Sequence, residues 1–437
     1  MKPRRVLIRS YQVGFGDCFL FTVHYTGGEN RHVLIDFGST GLPEGVPSNR
    51  LKAIAKDIQA VTGGKLTAVV ATHRHKDHIS GFATNASGTG SGDIIAKLKP
   101  DIVVQPWTED PDLEQTATAP HGSSGAPGLS AAAHRVRTLW AMQKVAEQIW
   151  AEARRSRSLG DEVRDRLGFL GENNVKNLSA VRNLMAMTGD KKKNRYVHAG
   201  MASGLEDLLP GVKVDVLGPP TVEQHEAVQT QTSWDNDEFW VRLAAAGDVL
   251  PRASRNSLNP LFPSHLVKRK KYRFPVDARW FVLRAKQLRG EQMLRIVTML
   301  DDALNNTSVI LLFRVGGKSF LFPGDAQIEN WEYALAQEKI RKLLRAVNVY
   351  KVGHHGSRNA TPKSLWDLFE RRSTDKHDPH RLTSMMSTMP DKHGSEANKS
   401  EVPRRTLVRA LEKESAHFTT QDVATDELCL EVSIDLS

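Results

Sequence analysis

The chain has 437 residues, of which 40% are apolar and 25% are charged, and its formal net charge is +10. This composition is typical of a globular protein that is long enough for one large domain with insertions or for two domains. No apolar run approaches the roughly 18 residues that a membrane-spanning helix needs, and the N-terminus lacks the apolar segment of a secretion signal. The only cysteines, Cys18 and Cys429, exclude a disulfide framework and a cysteine-based zinc site. These features together favour a cytoplasmic protein without a membrane partner.

The first hundred residues alternate short apolar runs with turn residues, which predicts a sheet. One helix with an apolar face is predicted at Arg50–Ala60, ahead of a glycine pair. The last long apolar run of this part leads directly into a cluster of histidines. The predicted strands are Arg5–Arg9, Cys18–Tyr25, His32–Asp36, Leu66–Thr72 and Ile102–Gln105.

Two segments interrupt this pattern. Residues 107–205 are expected to be a basic helical insertion, because a Pro/Gly/Ser/Thr-rich stretch precedes long Ala/Arg/Leu-rich helical patterns. Residues 221–304 are expected to be a second, irregular and partly basic insertion. Strand patterns surround and follow the second segment, so we predict a single domain over residues 1–437 that both insertions interrupt.

The C-terminal part returns to short strands and amphipathic helices. Two β-rich halves that both carry helices predict an α/β layered sandwich in which each half contributes strands. The predicted strands are Val212–Leu217, Ser308–Val315, Ser319–Phe322, Val349–Val352 and Glu427–Ile434, and the predicted helices are Trp331–Val347 and Arg404–Glu414.

The basic residues concentrate in the two insertions. Such clusters attract polyanions, among which nucleic acid is the most common in a cell. A solvated surface without a partner explains the same composition equally well, so charge alone does not identify a nucleic-acid enzyme. The candidate nucleic-acid contacts are Lys191, Lys192, Lys193, Lys268, Arg269, Lys270 and Lys271.

The strongest chemical feature is the heptapeptide THRHKDH at residues 72–78, directly after a predicted buried strand. His73, His75, Asp77 and His78 place four metal-binding side chains within six residues. The chain has only 16 histidines among its 437 residues, so three of them within six positions are not expected by chance. Neutral imidazoles and a carboxylate suit zinc or manganese. The sequence therefore predicts a metal site, with zinc favoured.

The order His-x-His-x-Asp-His resembles the hallmark of the metallo-β-lactamase superfamily. Three further segments resemble motifs of this family in the same order: Val33–Gly38 (VLIDFG), Phe320–Ala326 (FLFPGDA) and Lys351–Ser357 (KVGHHGS). The resemblance implies an α/β fold, the metallo-β-lactamase αββα sandwich, here with two insertions. It also implies two divalent metal ions bound by His73, His75, Asp77, His78, Asp325 and His355.

The resemblance also suggests roles for residues next to the ligands. Asp36 is similar to the aspartate that supports the loop of the histidine motif, residues 72–78, which we call the metal loop. Asp17 and Lys351 are further candidates for orienting ligands. For Asp17, capping a turn is an equally good explanation. Of the adjacent pair His354 and His355, we favour His355 as the ligand by similarity, which leaves His354 for contacting substrate or donating a proton.

A third histidine for the first metal is missing. Many relatives supply it from the strand that here ends in LGPP, at residues 217–220. His225 follows closely, but a single histidine in a loop is more often only solvated. The ComEC-like hydrolase domains of DNA-uptake proteins commonly lack this histidine, and Gly14–Cys18 (GFGDC) resembles their opening motif. The resemblance covers residues 5–105, 210–220 and 305–435; the DNA-uptake role is not implied, since no channel segment is present.

These features predict a metal-dependent hydrolase that uses a metal-bound hydroxide, with Asp77 orienting the nucleophile and a protonated His354 assisting the leaving group. We favour a phosphodiesterase or nuclease, because phosphate-rich substrates need compensating basic residues. The first alternative is a hydrolase of small esters, lactones or amides. The second is a non-enzymatic binding module that keeps the site as structure. The sequence leaves the oligomeric state open.

Overall fold

The computed structural model describes residues 1–112, 177–221, 223–225, 304–357, 361–390, 392 and 401–436. All of these residues belong to one compact unit. Most of the two predicted insertions, including the basic run Lys268–Lys271, lies outside the described residues. Within the described part of the chain, no helix is long and apolar enough to cross a membrane.

The first of two mixed sheets has seven strands in the order β13-β1-β2-β3-β4-β5-β6. Strands β3 to β6 are mutually parallel, so their carboxyl ends lie at one edge, while β1 pairs antiparallel with β2 and with β13. The strands are β1 (Lys2–Tyr11), β2 (Cys18–Thr26), β3 (Arg31–Phe37), β4 (Ala68–Val70), β5 (Ile102–Pro106), β6 (Asn194–Val197) and β13 (Cys429–Asp435).

The second sheet has six strands in the order β12-β11-β10-β9-β8-β7. Strands β9 to β12 are parallel, and β8 pairs antiparallel with both β7 and β9. The strands are β7 (Lys213–Gly218), β8 (Ile310–Val315), β9 (Lys318–Phe322), β10 (Val349–Lys351), β11 (Thr383–Met386) and β12 (Ala416–Thr419).

Eight α-helices are present in the described residues. The first four follow strands of the first sheet or precede them, and the last four belong to the second half of the chain. They are α1 (Arg50–Val61), α2 (Lys76–Ile79), α3 (Ser91–Lys97), α4 (Leu178–Ala186), α5 (Ile328–Leu335), α6 (Glu338–Arg345), α7 (Lys363–Trp366) and α8 (Arg405–Glu414).

The inner faces of the two sheets share one apolar cluster. Phe21 of β2 stacks on Phe313 of β8, with 4.7 Å between ring centroids, and packs edge-on against Phe320 of β9. Alternation along each strand sends these side chains inward and their neighbours outward. The outward residues form two further clusters, one with α1, α3 and α4, the other with α5 to α8. The protein is therefore an α/β sandwich with two mixed sheets.

Residues 177–205, which the sequence analysis assigns to the first insertion, contain core elements. Helix α4 buries Ala180 and Leu184 in the cluster outside the first sheet. Strand β6 continues that sheet, with Asn194 opposite Val103. The insertion predicted from composition therefore overlaps the sandwich from Leu178 onward, because α4 is rich in the same helix-forming residues as the segment before it.

The predicted helix Trp331–Val347 is wrong as a single element, since the structure has α5 and α6 with a break at Ala336 and Gln337. Trp331 and Ala334 are buried on the first helix, and Ile340 and Leu344 on the second. In one continuous helix these two pairs would face different sides, so burial of both pairs requires a break between them. No glycine or proline marks the break.

Candidate metal centre

The carboxyl edges of both sheets meet at one polar site. Strand β4 leads into the histidine motif, and Asp36 lies near the end of β3. From the second sheet, β9 is followed by Asp325 and β10 by His354 and His355. The site is therefore built from residues that follow parallel strands, where side chains from distant parts of the chain are brought together.

Four side chains form a buried group that can hold a metal ion: Asp77, His78, Asp325 and His355. His355 Nε2 lies 3.1 Å from Asp77 Oδ2 and 3.6 Å from Asp325 Oδ2. His78 Nε2 lies 2.9 Å from Asp325 Oδ2. Each of these residues is at most 2% exposed. All four are among the ligands that the sequence analysis predicts.

The two imidazoles are oriented from behind. His78 Nδ1 donates a hydrogen bond to Asp36 Oδ2 at 2.8 Å, and His355 Nδ1 donates to the Ser387 carbonyl at 3.0 Å. These bonds hold an N–H on Nδ1 and direct Nε2 toward the carboxylates. A hydrogen-bonded Nδ1 with Nε2 directed into the site is the arrangement of metal-binding histidines.

The facing atoms have few partners beyond one another. Asp77 Oδ1 is buried and has no hydrogen-bond partner within the described residues, and the buried His78 Nε2 and Asp325 Oδ2 contact each other at 2.9 Å. Buried polar atoms of this kind cost free energy unless a hydrogen bond, a proton or a cation satisfies them. Nitrogen and carboxylate oxygen are ligands of zinc and manganese. The donor set therefore fits a divalent metal ion.

The electrostatics of the group agree with this fit. Burial by itself raises the pKa of Asp77 and Asp325, but the neighbouring His78 and His355 imidazoles lower both values below the ordinary carboxyl range. Burial lowers the pKa of His78 and His355, but the surrounding carboxylates raise both above the ordinary imidazole value. The buried carboxylates therefore need nearby positive charge. Without a metal ion, protons on the imidazoles supply it, and a bound cation can supply it instead.

His73 and His75 converge beside this group. His73 Nε2 and His75 Nδ1 lie 3.0 Å apart, and both residues are 1% exposed. The His73 ring centroid is 4.1 Å from that of His78, so the pair adjoins the buried group. Burial and the neighbouring His78 and His75 lower the pKa of His73, which keeps this imidazole neutral. The two ring nitrogens therefore face each other beside the buried group.

Asp36 supports the metal loop. Its carboxylate accepts hydrogen bonds from the Thr72 backbone N–H and hydroxyl, both at 2.7 Å, in addition to that from His78. Its φ of 55° lies in the left-handed region, which costs free energy for a residue other than glycine. His354 (φ 41°) and His355 (φ 53°) are in the same region. The backbone is therefore strained where it presents these side chains.

Asp17 and Lys351 form a buried ion pair behind the ligands. Lys351 Nζ also donates to the Gly324 carbonyl at 3.2 Å and lies 3.7 Å from Asp325 Oδ1. Asp17 Oδ1 lies 3.5 Å from His355 Nδ1. The acidic neighbours of Lys351 outweigh its burial and raise its pKa, so it is a fixed ammonium. Asp17 thus lies next to His355, and Lys351 lies next to Asp325.

A glycine allows Asp17 to approach the ligands. The Asp17 N–H donates to the Asp77 carbonyl at 2.9 Å. Gly16, with φ of 156°, lies so close to this loop that a Cβ would meet the Asp77 carbonyl oxygen at 2.7 Å and that of Gly38 at 2.3 Å. A side chain at position 16 would push the segment Gly14–Cys18 away from the metal loop.

His354 differs from its neighbour. Its Nε2 lies 4.0 Å from Asp325 Oδ2, and its side chain is 23% exposed, whereas that of His355 is fully buried. The buried group thus includes His355 and not His354. Burial lowers the pKa of His354 to about 4. The imidazole is therefore neutral at pH 7, which differs from the protonated form that the sequence analysis expects.

Three predicted basic contacts lie away from the site. Lys191, Lys192 and Lys193 are exposed and immediately precede β6, at the amino ends of the parallel strands. The histidine motif lies at the carboxyl ends. His225 packs against Tyr333 of α5, with 5.9 Å between ring centroids, and does not belong to the buried group.

Two residues that support the site, Ser387 and Arg74, belong to no recognisable sequence motif. Ser387, which follows β11, orients His355 through its backbone carbonyl, a group that every residue type has. Arg74 forms a multiple hydrogen bond with Glu109, at distances from 2.6 to 3.0 Å, and so ties the metal loop to the turn after β5. Only the position of Arg74 between two ligands hints at its role in the sequence.

Neither the protein-family models nor the curated proteins contain a match to this chain. The inference of function therefore rests on the residues and geometry of the site.

Proposed function

We propose that this chain is a metal-dependent hydrolase of the metallo-β-lactamase type that cleaves phosphodiesters with two divalent cations. The observation that carries the proposal is the buried convergence of Asp77, His78, Asp325 and His355, with both imidazoles anchored through Nδ1. The group brings two buried carboxylates within 3.6 Å of two imidazoles, and it leaves Asp77 Oδ1 without a hydrogen bond in the described part of the protein.

The charge of the site supports two cations. Four carboxylates are at most 2% exposed, and Lys351 is their buried ammonium; the carboxylates are those of Asp17, Asp36, Asp77 and Asp325. With neutral imidazoles, this set has an excess of three negative charges. One divalent cation leaves the site negative, and a second gives it a net positive charge of one. Such a site attracts a singly charged anion, which is the charge of a phosphodiester.

Asp77, His78, Asp325 and His355 would hold one cation, and His73 and His75 would hold the other. When bound, the cations supply an activated water and positive charge for the developing oxyanion. Zinc suits these ligands best, and manganese is the second choice. The hydrogen bonds of His78 Nδ1 and His355 Nδ1 hold these two imidazoles in position before a cation binds.

His354 is placed to contact the substrate. It is the histidine of the site with the most exposed side chain. A neutral imidazole can donate one hydrogen bond and accept another. We therefore propose that His354 positions the scissile group or the leaving oxygen by hydrogen bonding.

Hydrolysis of a small ester, lactone or amide is the second candidate function. The observation in its favour is the position of Lys191, Lys192 and Lys193 at the amino ends of the strands, because these lysines do not line the metal centre. A small neutral substrate needs no track of basic residues. The two candidates share the metal centre and differ in the substrate.

The deciding experiment compares substrates on metal-depleted protein to which zinc or manganese is returned. We expect cleavage of bis(4-nitrophenyl) phosphate to be restored by about two equivalents of metal. Loss of a residue that only hydrogen-bonds to a metal ligand costs up to about 100-fold in activity. Since Asp77 is a proposed ligand itself, the rate of the Asp77→Asn variant should fall by more than about 100-fold. Asp57→Asn is the matched control, since this carboxylate accepts a hydrogen bond from Tyr11 away from the site.

Hydrolysis of 4-nitrophenyl acetate alone, with the same dependence on Asp77, would select the second candidate. Failure of the protein to retain any divalent metal after dialysis would overturn both candidates.

A further inference from the structure

Six lysines lie at the edge of the first sheet that is opposite the metal centre. Five occupy the connections immediately before β4, β5 and β6, the sixth is the last residue of α3, and all six are exposed. We name this group the lysine ridge. Its members are Lys65, Lys97, Lys99, Lys191, Lys192 and Lys193.

Parallel pairing brings these connections together. The Leu66 N–H donates to the Leu98 carbonyl at 3.2 Å, and the Asp101 N–H donates to the Thr67 carbonyl at 3.0 Å, which aligns the first two connections. Asn194 pairs with Val103, so the third connection reaches the same edge. Neighbouring strands are about 4.8 Å apart, so the ridge crosses three strands in a row.

The ridge has a net positive charge, because its lysines outnumber the acidic residues of the three connections. Its three connections contain two acidic residues, Asp101 and Asp190. Asp190 is used locally, since its carboxylate accepts a hydrogen bond from the Lys192 N–H at 2.9 Å. Within the described part of the chain, none of the six ammonium groups has an ion-pair partner, and Lys97 Nζ donates only to the Gly88 carbonyl.

The ridge and the metal centre are separate sites. Eight residues of largely extended chain connect Lys65 to His73, a span of about 25 Å at 3.3 Å per residue. The two positions lie at opposite ends of β4. A ligand bound at the ridge is therefore not a ligand in the metal centre, and the ridge lysines do not serve as contacts at the cleavage site.

We propose that the lysine ridge binds the phosphodiester backbone of nucleic acid. A row of exposed, unpaired point charges complements a linear polyanion, and lysine binds phosphates through charge without requiring a fixed geometry. None of the large exposed hydrophobic side chains, Met1, Leu178, Met201 and Phe418, lies on the three connections. The ridge thus lacks the apolar residues that insert into a membrane surface or anchor a protein partner.

This proposal does not depend on the proposed function. The ridge binds nucleic acid whether the metal centre cleaves a phosphodiester or a small ester. If the metal centre does cleave nucleic acid, the ridge holds a part of the polymer distant from the scissile bond.

The test is the salt dependence of binding to a fluorescently labelled 30-nucleotide single strand, measured by anisotropy. Six phosphate contacts predict a slope of log affinity against log salt of about −4, so affinity falls about 300-fold between 50 and 200 mM salt. The triple variant Lys191→Gln, Lys192→Gln, Lys193→Gln retains three contacts, for which the expected slope is about −2 and the expected loss is about 20-fold.

The matched control removes the same charge elsewhere. Lys56, Lys363 and Lys413 are exposed lysines outside the ridge, and their triple glutamine variant should keep the slope of the unmodified protein. Asp77→Asn should bind the labelled strand with an unchanged slope. The ridge variant should hydrolyse the chromogenic substrate of the metal centre at the rate of the unmodified protein. These two results separate failure of this proposal from failure of the proposed function.

Equal slopes for the ridge variant and the control variant would overturn the proposal. So would tighter binding of the unmodified protein to vesicles with 30% phosphatidylserine than to the nucleic acid, with loss of that binding in the ridge variant. Circular dichroism and thermal unfolding of both triple variants confirm that they fold.

Discussion

The two ends of the parallel strands in the first sheet have opposite chemistry. The carboxyl edge presents Asp36, Asp77 and three histidines, all nearly inaccessible to solvent. The amino edge presents exposed lysines, half of them in the run Lys191–Lys193. At the carboxyl edge, loops of both sheets cover the polar side chains, which therefore need each other or a metal ion. At the amino edge, the side chains remain hydrated and are available to a partner.

Charge has different consequences at the two edges. A hydrated lysine costs little in stability and contributes through long-range attraction. A buried carboxylate must be compensated locally, and its loss or gain of a proton changes the free energy of unfolding. Substitutions at the carboxyl edge should therefore alter stability and metal binding, whereas those at the amino edge should alter association.

The largest expected effect is on the ion pair of Lys351 and Asp17. Lys351→Met leaves the Asp17 carboxylate buried without its cation, so the free energy of unfolding of the metal-free protein should fall by about 3–5 kcal/mol. Urea denaturation followed by circular dichroism measures this change. The double variant with Asp17→Asn should be more stable than Lys351→Met alone. A single variant as stable as the unmodified protein would show that the buried carboxylates do not need this ammonium.

A smaller effect of pH is expected at His32, which lies at the start of β3 and contacts Thr22 Oγ1 at 3.0 Å. Burial and nearby basic groups lower the pKa of His32 from 6.5 to about 4. The unfolded chain therefore binds a proton that the folded chain does not, and stability falls as pH decreases from 6.5 to 4, by at most about 3 kcal/mol.

The His32→Asn variant isolates this contribution, because it removes the titrating group and leaves the metal centre intact. The difference between the two profiles of unfolding free energy against pH should be flat above pH 7 and should slope between pH 6.5 and 4. A difference that stays constant over the whole range would contradict the prediction.

The smallest expected effect is at Asp36, which orients a ligand without being part of the four-residue group. Asp36→Asn should weaken zinc binding about 10- to 100-fold, which corresponds to about 1.4–2.7 kcal/mol. Calorimetric titration of metal-depleted protein with zinc measures it, with Asp57→Asn as the control. If Asp36→Asn binds zinc as tightly as the control, the hydrogen bond to His78 does not contribute to the metal site.

The sequence predicted the parts of the site whose residues are close together in the chain. His73 to His78 form one motif, and the local pattern alone marks them as candidate metal-binding residues. Most strands were also evident, since their apolar runs are bounded by turn residues. The α/β sandwich follows from this pattern of strands and helices, and the structure confirms it at that level.

Elements with weak local patterns were not predicted. Strands β11 and β12 have few apolar residues, and β12 has only four residues in all. Helix α2 is a single turn made of the motif itself, and its bounds depend on hydrogen bonds to His75. These elements exist because the sandwich offers them a neighbouring strand or a surface, which is a property of the tertiary structure.

By itself, the sequence determined which side chains have metal-binding chemistry and that they follow buried strands. Only the tertiary structure decided that His355 rather than His354 joins Asp77 and Asp325, since the two adjacent residues differ in burial and direction. It also placed Lys191, Lys192 and Lys193 at the edge opposite the metal centre. The physical reason is that parallel strands send their two ends to opposite edges, and the strand order is set by pairing between distant segments.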